Sequence, residues 1–305
     1  MLYSFLLNFN GVYDTIRVYV IRGEICLAAI ILEGGTFRPV FSCGVMDALM
    51  DNNIHFDYGI GVSAGISHGM SYFSKQRGRA YRIVKNHRHD KKYIGARNFF
   101  TDRSLFGLKY AYETIGNELY PFDWETFKAN PVKVRIGVTN AHTGEIEYLD
   151  GKEMDKTYNM LKATCALPVA FPAIKVGDKE YFDGGITDSI AAKKAYDDGN
   201  EKMLIVLTRT KGYVKELSGG VKLISKLFKR KYPKVAEAML KRHEMYNKQV
   251  EFCEKLEKEG KAVILRPSEE VQIDSFEKDL DKMERVYRYG YSLAVENLER
   301  IKDLF

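Results

Sequence analysis

The sequence predicts an α/β protein built on a mostly parallel sheet that helices cover. Residues 26–32 (CLAAIIL) form a continuous apolar run, which is typical of a strand buried on both faces. Residues 40–51 (VFSCGVMDALMD) then place apolar side chains at helical spacing. Residues 58–62 are the next predicted strand and residues 64–74 the next helix. This strand–helix–strand–helix order indicates a mostly parallel sheet.

The rest of the chain continues to alternate between strands and helices. A basic and aromatic segment, 76–130, is expected to be helical or irregular. Strands are predicted over 132–139, 145–149, 174–182, 203–208 and 262–266. The third of these alternates in polarity like a hairpin, with Gly177 and Asp178 at its tip. Helices are predicted over 152–163, 187–198, 221–230, 234–256 and 276–304.

The 305 residues are enough for one large α/β domain, and no internal repeat, low-complexity tract or linker divides them. Residues 1–22 lack the basic start and the small-residue cleavage site of a signal peptide. We therefore interpret them as an N-terminal extension of uncertain structure before a domain that spans residues 23–305. The sequence contains no run of about 18 apolar residues, so we predict no membrane span.

The composition is that of an ordinary globular protein, with 45% apolar and 29% charged residues. A net charge of +6 is too mild to indicate a nucleic-acid partner. The four cysteines are widely spaced and form no C-x-x-C pair; they are Cys26, Cys43, Cys165 and Cys253. They predict reduced, buried thiols in a cytoplasmic protein.

The pentapeptide at 61–65, GVSAG, has the form G-x-S-x-G around Ser63. Alone it is a weak signal, but here a predicted strand precedes it and a predicted helix follows it. Gly61 and Gly65 would remove side chains that collide in so sharp a turn. The start of the helix would direct backbone N–H groups toward the same space. We predict that Ser63 is a nucleophile.

A serine hydroxyl needs a base to become a good nucleophile. His142 and His243 are the histidines that follow Ser63 at a distance, and they are expected on a hairpin tip and in the middle of a helix. His68, five residues beyond Ser63, is expected to point elsewhere. A histidine triad therefore stays open as a less favoured alternative.

Asp183 is the better candidate for the base. In YFDGGITD it stands at a predicted strand end, before Gly184 and Gly185, which would let backbone and substrate approach closely. Ligands bind at the carboxyl edge of parallel sheets. An aspartate with a pKa of about 3.9 is ionised at neutral pH and can accept a proton, though weakly. Such a pair would depend on strong stabilisation of the oxyanion.

Residues 33–38 (EGGTFR) form a predicted glycine-rich turn after the first strand, which we call the glycine loop. Its backbone N–H groups are free to converge on an oxyanion, and Arg38 could fix the loop or balance charge. A nucleotide-binding loop is the alternative interpretation. The G-x-G-x-x-G pattern would need glycines at 36 and 39, however, and the chain has Thr36 and Pro39 there.

These three elements in this order resemble the patatin-like phospholipase family of lipid acyl hydrolases, and within it the bacterial patatin-like esterases. The resemblance rests on EGGTFRPVFSCGVMDAL, GVSAG and DGG, and runs from about Cys26 to the C-terminus. It implies a three-layer α/β/α sandwich and a Ser-Asp dyad of Ser63 and Asp183. It also implies an oxyanion hole made by the backbone amides at 34–36, that is Gly34, Gly35 and Thr36. The family usually has glycines where this chain has Thr36 and Pro39, which leaves the catalytic rate open.

We therefore predict a serine acyl hydrolase of carboxylic, lipid-type esters that needs no metal and no organic cofactor. A weakly active or inactive protein that binds lipids or acyl chains in a regulatory role is the alternative. The loop at 163–173 (ATCALPVAFPA) is expected to line the substrate cleft, with Leu167 affecting chain-length preference. Residues 222–242 combine lysines and arginines with apolar side chains, so peripheral membrane contact is left open.

Overall fold

The computed structural model describes residues 28–305 and, before them, four two-residue strands. These are β1 (Asn8–Phe9), β2 (Val12–Tyr13), β3 (Val20–Ile21) and β4 (Glu24–Ile25). β1 pairs antiparallel with β2, and β3 pairs antiparallel with β4. Cys26 and most of the predicted N-terminal extension, residues 1–22, lie outside the described residues.

An eight-stranded mixed sheet forms the centre of the fold, in the order β12-β11-β5-β6-β7-β10-β9, with β8 paired to β7. Its strands are β5 (Ala28–Leu32), β6 (Tyr58–Val62), β7 (Lys133–Asn140), β8 (Ile146–Asp150), β9 (Ile174–Val176), β10 (Lys179–Asp183), β11 (Lys202–Val206) and β12 (Ala262–Leu265). The run from β12 to β7 is parallel, whereas β8, β9 and β10 join antiparallel. The predicted mostly parallel α/β sheet is confirmed.

Helices cover both faces of this sheet. They are α1 (Val40–Asp51), α2 (Ser63–Phe73), α3 (Arg79–His87), α4 (Asn98–Thr101), α5 (Trp124–Ala129), α6 (Asn159–Thr164), α7 (Ala192–Asp197), α8 (Gly219–Phe228), α9 (Pro233–Lys258), α10 (Leu280–Glu296) and α11 (Leu298–Lys302). Residues Lys109–Leu119 form a π-helix, and 3₁₀ turns lie at Gly151–Glu153, Gly184–Ile186 and Glu269–Val271.

The two faces of β5 show how the three layers are built. Ala28, Ile30 and Leu32 pack into one apolar cluster with side chains of α1, α2 and α10. Ala29 and Ile31 point the other way, into a second cluster with side chains of α7 and α9. Successive side chains of a strand point to opposite faces, so an unbroken apolar run is what a central strand between two helix layers requires. The expected α/β/α sandwich is confirmed.

Three predicted helices are wrong in length. The helix predicted over 152–163 is observed only over Asn159–Thr164. The carboxylates of Asp150 and Asp155 each accept the amide proton of the residue two positions later, which favours turns before the helix. The segment 187–198 is helical only over Ala192–Asp197. The segment 276–304 begins as a helix at Leu280, after the Asp279 cap, and is divided in two at Asn297.

Candidate functional site

The register of β7 brings the two halves of the candidate site together. β6 lies parallel to β7 and ends with Val62 opposite Gly137. β10 runs back toward that end and stops with Asp183 opposite Val138, the next residue of β7. Because β8 pairs with Val138 on the opposite edge, β10 must use the same edge of β7 as β6. Ser63 and Asp183 therefore meet where two strands end on one edge.

Ser63 stands at the sharp turn from β6 into α2, as predicted. Its φ angle of 55° lies in the left-handed region, which is rare for a residue with a side chain. Its Oγ donates a hydrogen bond to Oδ2 of Asp183 at 2.7 Å. Its backbone N–H donates to Oγ1 of Thr164 at 2.8 Å, and Thr164 in turn donates to the carbonyl of Gly137 at 2.6 Å. Thr164 of α6 thus links the turn at Ser63 to strand β7.

The predicted glycines around Ser63 are required for close approach. A Cβ on Gly65 would lie 2.3 Å from the carbonyl oxygen of Glu33, and one on Gly61 would lie 2.5 Å from that of Leu32. Both distances are far below van der Waals contact between backbone and side-chain atoms. These two residues let the strand and the helix after it press against the first strand of the sheet.

Asp183 is almost completely buried, with 2% of its surface exposed. Its Oδ1 accepts the amide proton of Gly185 at 2.7 Å, which leaves Oδ2 for Ser63. Burial raises the pKa of this carboxyl, and the Ser63 hydroxyl, the Arg242 charge and the Gly185 amide each offset part of that rise. Gly184 is needed beside it, because a Cβ there would lie 2.2 Å from the carbonyl oxygen of Gly137.

The glycine loop lies directly over Ser63. A Cβ on Gly34 would come within 2.7 Å of Cβ of Ser63. Gly35 and Thr36 have positive φ angles of 146° and 57°. Within residues 28–305 no backbone carbonyl or side chain accepts the amide protons of Gly34, Gly35 or Thr36. Three free backbone donors beside a serine hydroxyl are what an oxyanion hole needs.

The loop is fixed from β11 and from the segment before α10. Glu33 accepts the amide proton of Thr208 at 2.6 Å, and Thr208 donates its hydroxyl to the carbonyl of Gly34 at 2.9 Å. Arg38 donates to the hydroxyls of Thr208 and Ser275, so it fixes the loop as the sequence suggested. Burial lowers the pKa of Arg38, although the nearby Glu33 carboxylate offsets part of the effect.

An apolar pocket opens on one side of Ser63. Its wall is largely aromatic and aliphatic and includes Phe37, Tyr93, Phe106, Tyr112, Leu167 and Phe171. Cys165, Leu167 and Phe171 of the loop at 163–173 line this pocket, whereas the use of the pocket as a substrate cleft stays a prediction. Such a wall suits a hydrocarbon chain rather than a polar ligand.

A second pocket opens on the other side of Ser63. It shares Ser63, Thr36 and Leu167 with the apolar pocket, and Asp183 forms part of its wall. Most of the remaining wall is polar or charged, with four cations from three separate segments. We call it the cationic pocket.

The structure does not bring the candidate triad histidines to Ser63. His142 lies in the turn between β7 and β8 with 67% of its side chain exposed, near Glu180. His243 lies in the middle of α9, and neither residue lines the two pockets. His68 differs from its prediction, because it lines the apolar pocket instead of pointing elsewhere. Burial lowers the pKa of His68 to about 4, so the ring is neutral at pH 7.

Sequence reasoning missed the residues that complete the site from other segments. Thr164 anchors the Ser63 amide, and Arg242 donates Nε–H to the carbonyl of Gly185 at 2.5 Å. Tyr246 of α9 donates to Glu33 at 3.2 Å, beneath the glycine loop. No local sequence pattern predicts the roles of these residues, because each of them contacts a distant part of the chain.

Three of the cysteines are free thiols in the structure, namely Cys43, Cys165 and Cys253. Among residues 28–305, no three His, Cys, Asp or Glu side chains lie close enough together to hold a metal ion. None of the helices in this part of the chain combines the length and the apolarity needed to cross a membrane.

Comparison with known proteins agrees with this geometry. The model of the family "Patatin-like phospholipase" matches residues 30–196, more than half of the chain, and that of "Domain of unknown function (DUF6363)" matches residues 232–305. "Uncharacterized protein YjjU" of Escherichia coli K12 is 23% identical over 186 residues, which are 59% of this chain and 51% of YjjU. The chain thus spans about half the length of this curated relative.

Among solved structures, VipD from Legionella pneumophila aligns with 98% of this chain and 70% of its own, at 11% identity and a TM-score of 0.46. The patatin family model covers β5, β6, β7 and β10, the strands that carry the glycine loop, Ser63 and Asp183. The chain therefore belongs to the patatin-like phospholipase family.

Proposed function

We propose that this protein hydrolyses carboxylic esters of lipids with Ser63 as nucleophile and Asp183 as base. One observation carries the proposal: the 2.7 Å hydrogen bond from Oγ of Ser63 to Oδ2 of Asp183, directly under the glycine loop. A buried carboxylate with a raised pKa is a stronger proton acceptor than an exposed one, which suits a dyad without histidine.

In this mechanism Oγ of Ser63 attacks the ester carbonyl carbon while its proton passes to Asp183. The amides of Gly34, Gly35 and Thr36 stabilise the resulting oxyanion. The C–O bond to the alcohol then breaks, and the alcohol oxygen takes the proton from Asp183. A water molecule repeats the sequence on the acyl-enzyme, which releases the carboxylic acid and restores Ser63.

The apolar pocket supports an acyl chain as the group bound next to Ser63. Its aromatic and aliphatic wall would remove a hydrocarbon from water, at about 25 cal/mol for each Å² of apolar surface buried. Arg79, which also reaches this pocket, donates to the carbonyl of Tyr120 and the hydroxyl of Ser71, so it is already paired.

We also propose a single catalytic domain over residues 23–305, because the site draws on segments from Glu33 to Phe276. Glu33 and Ser63 lie within the patatin match, whereas Arg242, Tyr246 and Ser275 lie within the second matched region. All five line the cationic pocket. Neither matched region builds that wall alone.

Helix α8 supports peripheral contact with membranes. Leu223 and Leu227 lie one turn apart and are 61% and 67% exposed. Exposed lysines, Lys222 and Lys226, accompany them, while Ser225 faces inward and donates to the carbonyl of Ala236. Exposed apolar side chains flanked by cations are typical of helices that lie on anionic lipid surfaces.

A fluorophosphonate probe tests the nucleophile directly, because it labels only an activated serine. We expect the wild-type protein to be labelled and Ser63→Ala to lose labelling and turnover of a chromogenic short-chain ester, by at least about 10³-fold. Asp183→Asn should also lose turnover, whereas His142→Ala and His243→Ala serve as controls that retain it. If the wild type neither labels nor turns over, the lipid-binding regulator becomes the better account.

A further inference from the structure

The apolar pocket has a near end and a far end relative to Ser63. Thr36 and Leu167 mark the near end, because they line both this pocket and the cationic pocket together with Ser63. Arg79 marks the far end, since it lines the pocket and donates Nη1–H to the hydroxyl of Ser71, about two turns beyond Ser63 on α2. At 1.5 Å per residue, Ser71 lies about 12 Å along the helix axis from Ser63.

Arg79 is a buried cation without a counter-charge. Its exposed fraction is 8%, and within residues 28–305 it forms no ion pair with a carboxylate. Its hydrogen bonds go to the Tyr120 carbonyl and the Ser71 hydroxyl, which are neutral, and they use three of its five N–H groups. A buried charge that is hydrogen-bonded only in part is costly, so a ligand that supplies negative charge is expected.

The groups around Arg79 in the pocket wall are neutral. Its guanidinium carbon lies 5.5 Å from the ring centre of Phe122, and the Tyr158 hydroxyl donates to the carbonyl of Gly116 at 2.9 Å. Burial lowers the pKa of Arg79 to about 10, and the nearby Arg82, which has the same sign of charge, adds to the effect. Burial raises the pKa of Tyr158 to about 12, so its hydroxyl stays protonated at pH 7. Among the described residues, the far end therefore lacks a counter-charge of its own.

His68 adds an unused polar atom to the same pocket. It lies on α2 between Ser63 and Ser71, and it lines the pocket. Its Nε2 is buried and has no hydrogen-bond partner among the described residues. The charge of Arg79 contributes to the lowered pKa of His68, so the two side chains are neighbours. A largely hydrocarbon wall thus contains one unneutralised cation and, beside it, one neutral imidazole.

We propose that Arg79 binds a carboxylate at the far end of the acyl chain, so that the preferred substrates are half-esters of dicarboxylic acids. In these compounds one carboxyl group is esterified and the other is free. Guanidinium groups bind carboxylates through paired N–H donors, and two N–H groups of Arg79 remain for this role. A span of about 12 Å, at roughly 1.2 Å per bond of an extended chain, corresponds to about ten carbons. This inference rests on the proposed function and assigns the acyl group to it.

Two esters that differ only at the far end of the acyl chain test the assignment. Nitrophenyl decanoate ends in a methyl group, whereas the nitrophenyl half-ester of sebacic acid has the same length and ends in a carboxylate. We expect kcat/KM of the wild type to be at least about 10-fold higher for the half-ester, since a charge-assisted contact is worth roughly a factor of ten or more. A purely apolar pocket would favour the methyl group instead. The preference should be smaller for adipate over hexanoate, because the shorter chain cannot reach Arg79.

Arg79→Gln should lower the ratio of the two kcat/KM values at least about 10-fold. The ratio compares two substrates of one enzyme, so partial unfolding caused by the lost contact with Tyr120 does not affect it. Arg82→Gln is the matched control, because it removes a charge from an exposed residue of the same helix, and it should leave the ratio within about twofold. An unchanged ratio in Arg79→Gln would overturn the inference. Loss of the preference in Lys215→Met but not in Arg79→Gln would also overturn it, because the carboxylate would then bind in the cationic pocket.

Binding to the full-length Ser63→Ala protein gives a readout independent of turnover. Titration calorimetry should show binding of monomethyl sebacate, and adding Arg79→Gln should weaken that binding about 10-fold. Methyl ω-hydroxydecanoate, which ends in a neutral hydroxyl, should bind at least about 10-fold more weakly than monomethyl sebacate. Equal binding of the two compounds would mean that the far end does not recognise charge, and the assignment would be wrong.

The same experiments separate this inference from the proposed function. A wild type that hydrolyses nitrophenyl decanoate through Ser63, but the sebacic half-ester no faster, would overturn the inference and leave the hydrolase proposal standing. A protein that binds monomethyl sebacate through Arg79 but hydrolyses neither ester would overturn the hydrolase proposal and leave the carboxylate site at Arg79 standing.

Discussion

Replacing Gly34 with alanine should disable the oxyanion hole while leaving the fold in place. The new Cβ would lie 2.7 Å from Cβ of Ser63 and 3.0 Å from the carbonyl oxygen of Val62. Carbon atoms in contact normally stay about 3.5–4.0 Å apart, so the loop must move by roughly 1 Å. Oxyanion donors work at about 2.7–3.1 Å, and a shift of that size removes at least one of them.

Loss of one such donor lowers kcat by about 10²–10³-fold, or about 2.7–4 kcal/mol of transition-state stabilisation. We expect Gly34→Ala to show this loss in hydrolysis of a chromogenic short-chain ester. Overpacking itself costs typically 1–3 kcal/mol of stability, so thermal unfolding should still show a folded protein. Gly219→Ala is the matched control, because nothing lies within 4 Å of a Cβ there.

A Gly34→Ala enzyme with kcat within twofold of the wild type would contradict this prediction. The glycine loop would then not supply the oxyanion donors, and the free amides at 34–36 would have another role. A similar loss of kcat in Gly219→Ala would show that the assay reports general destabilisation.

Three further predictions concern the Asp183 carboxyl, the apolar pocket and helix α8. Burial raises the pKa of Asp183, whose ionised form is the proposed base, so kcat/KM should fall with decreasing pH through a value above the ordinary aspartate pKa. Arg242→Gln removes a charge that offsets this rise, and it should move the acidic limb of the pH–rate profile to higher pH. Leu167→Ala enlarges the apolar pocket and should shift the preference toward esters with longer acyl chains. We expect the ratio of kcat/KM for long-chain to short-chain esters to rise about 10-fold, and an unchanged ratio would contradict the lining role. Leu223→Ser with Leu227→Ser should weaken binding to anionic vesicles at least about 10-fold in a sedimentation assay, with soluble-ester turnover as the control.

The central strands and the sharp turn at Ser63 could be predicted because local sequence determines them. An unbroken apolar run such as 28–32 has one stable environment, between two helix layers. Glycines at 34, 61 and 65 lie at positions where a Cβ atom would collide with a neighbouring segment. Parallel pairing accounts for Ser63 at the carboxyl end of β6, but not for Asp183, because β10 runs antiparallel to β7 and meets β6 end to end on one edge.

The cationic pocket could not be predicted, because it depends on long-range packing. No sequence pattern links Lys215, which lies on a loop, or Arg242, which lies on α9, to Ser63 and Asp183. Their approach to Gly185 and Tyr246 exists only once α9 has packed on the sheet. The shortened helices have a local cause instead, since asparagine and aspartate side chains compete with the helix for backbone hydrogen bonds.

The candidate site depends on segments that lie far apart in the chain. Ser63 and Asp183 both come from the first 183 residues, but Tyr246 and Ser275, which hold the glycine loop from beneath and beside, come from the last third of the sequence. A truncated protein that ends before α9 would keep the serine and the aspartate but lose the contacts that fix the glycine loop above them. Under the proposed mechanism, the patatin-matched region alone would therefore lack fixed oxyanion donors.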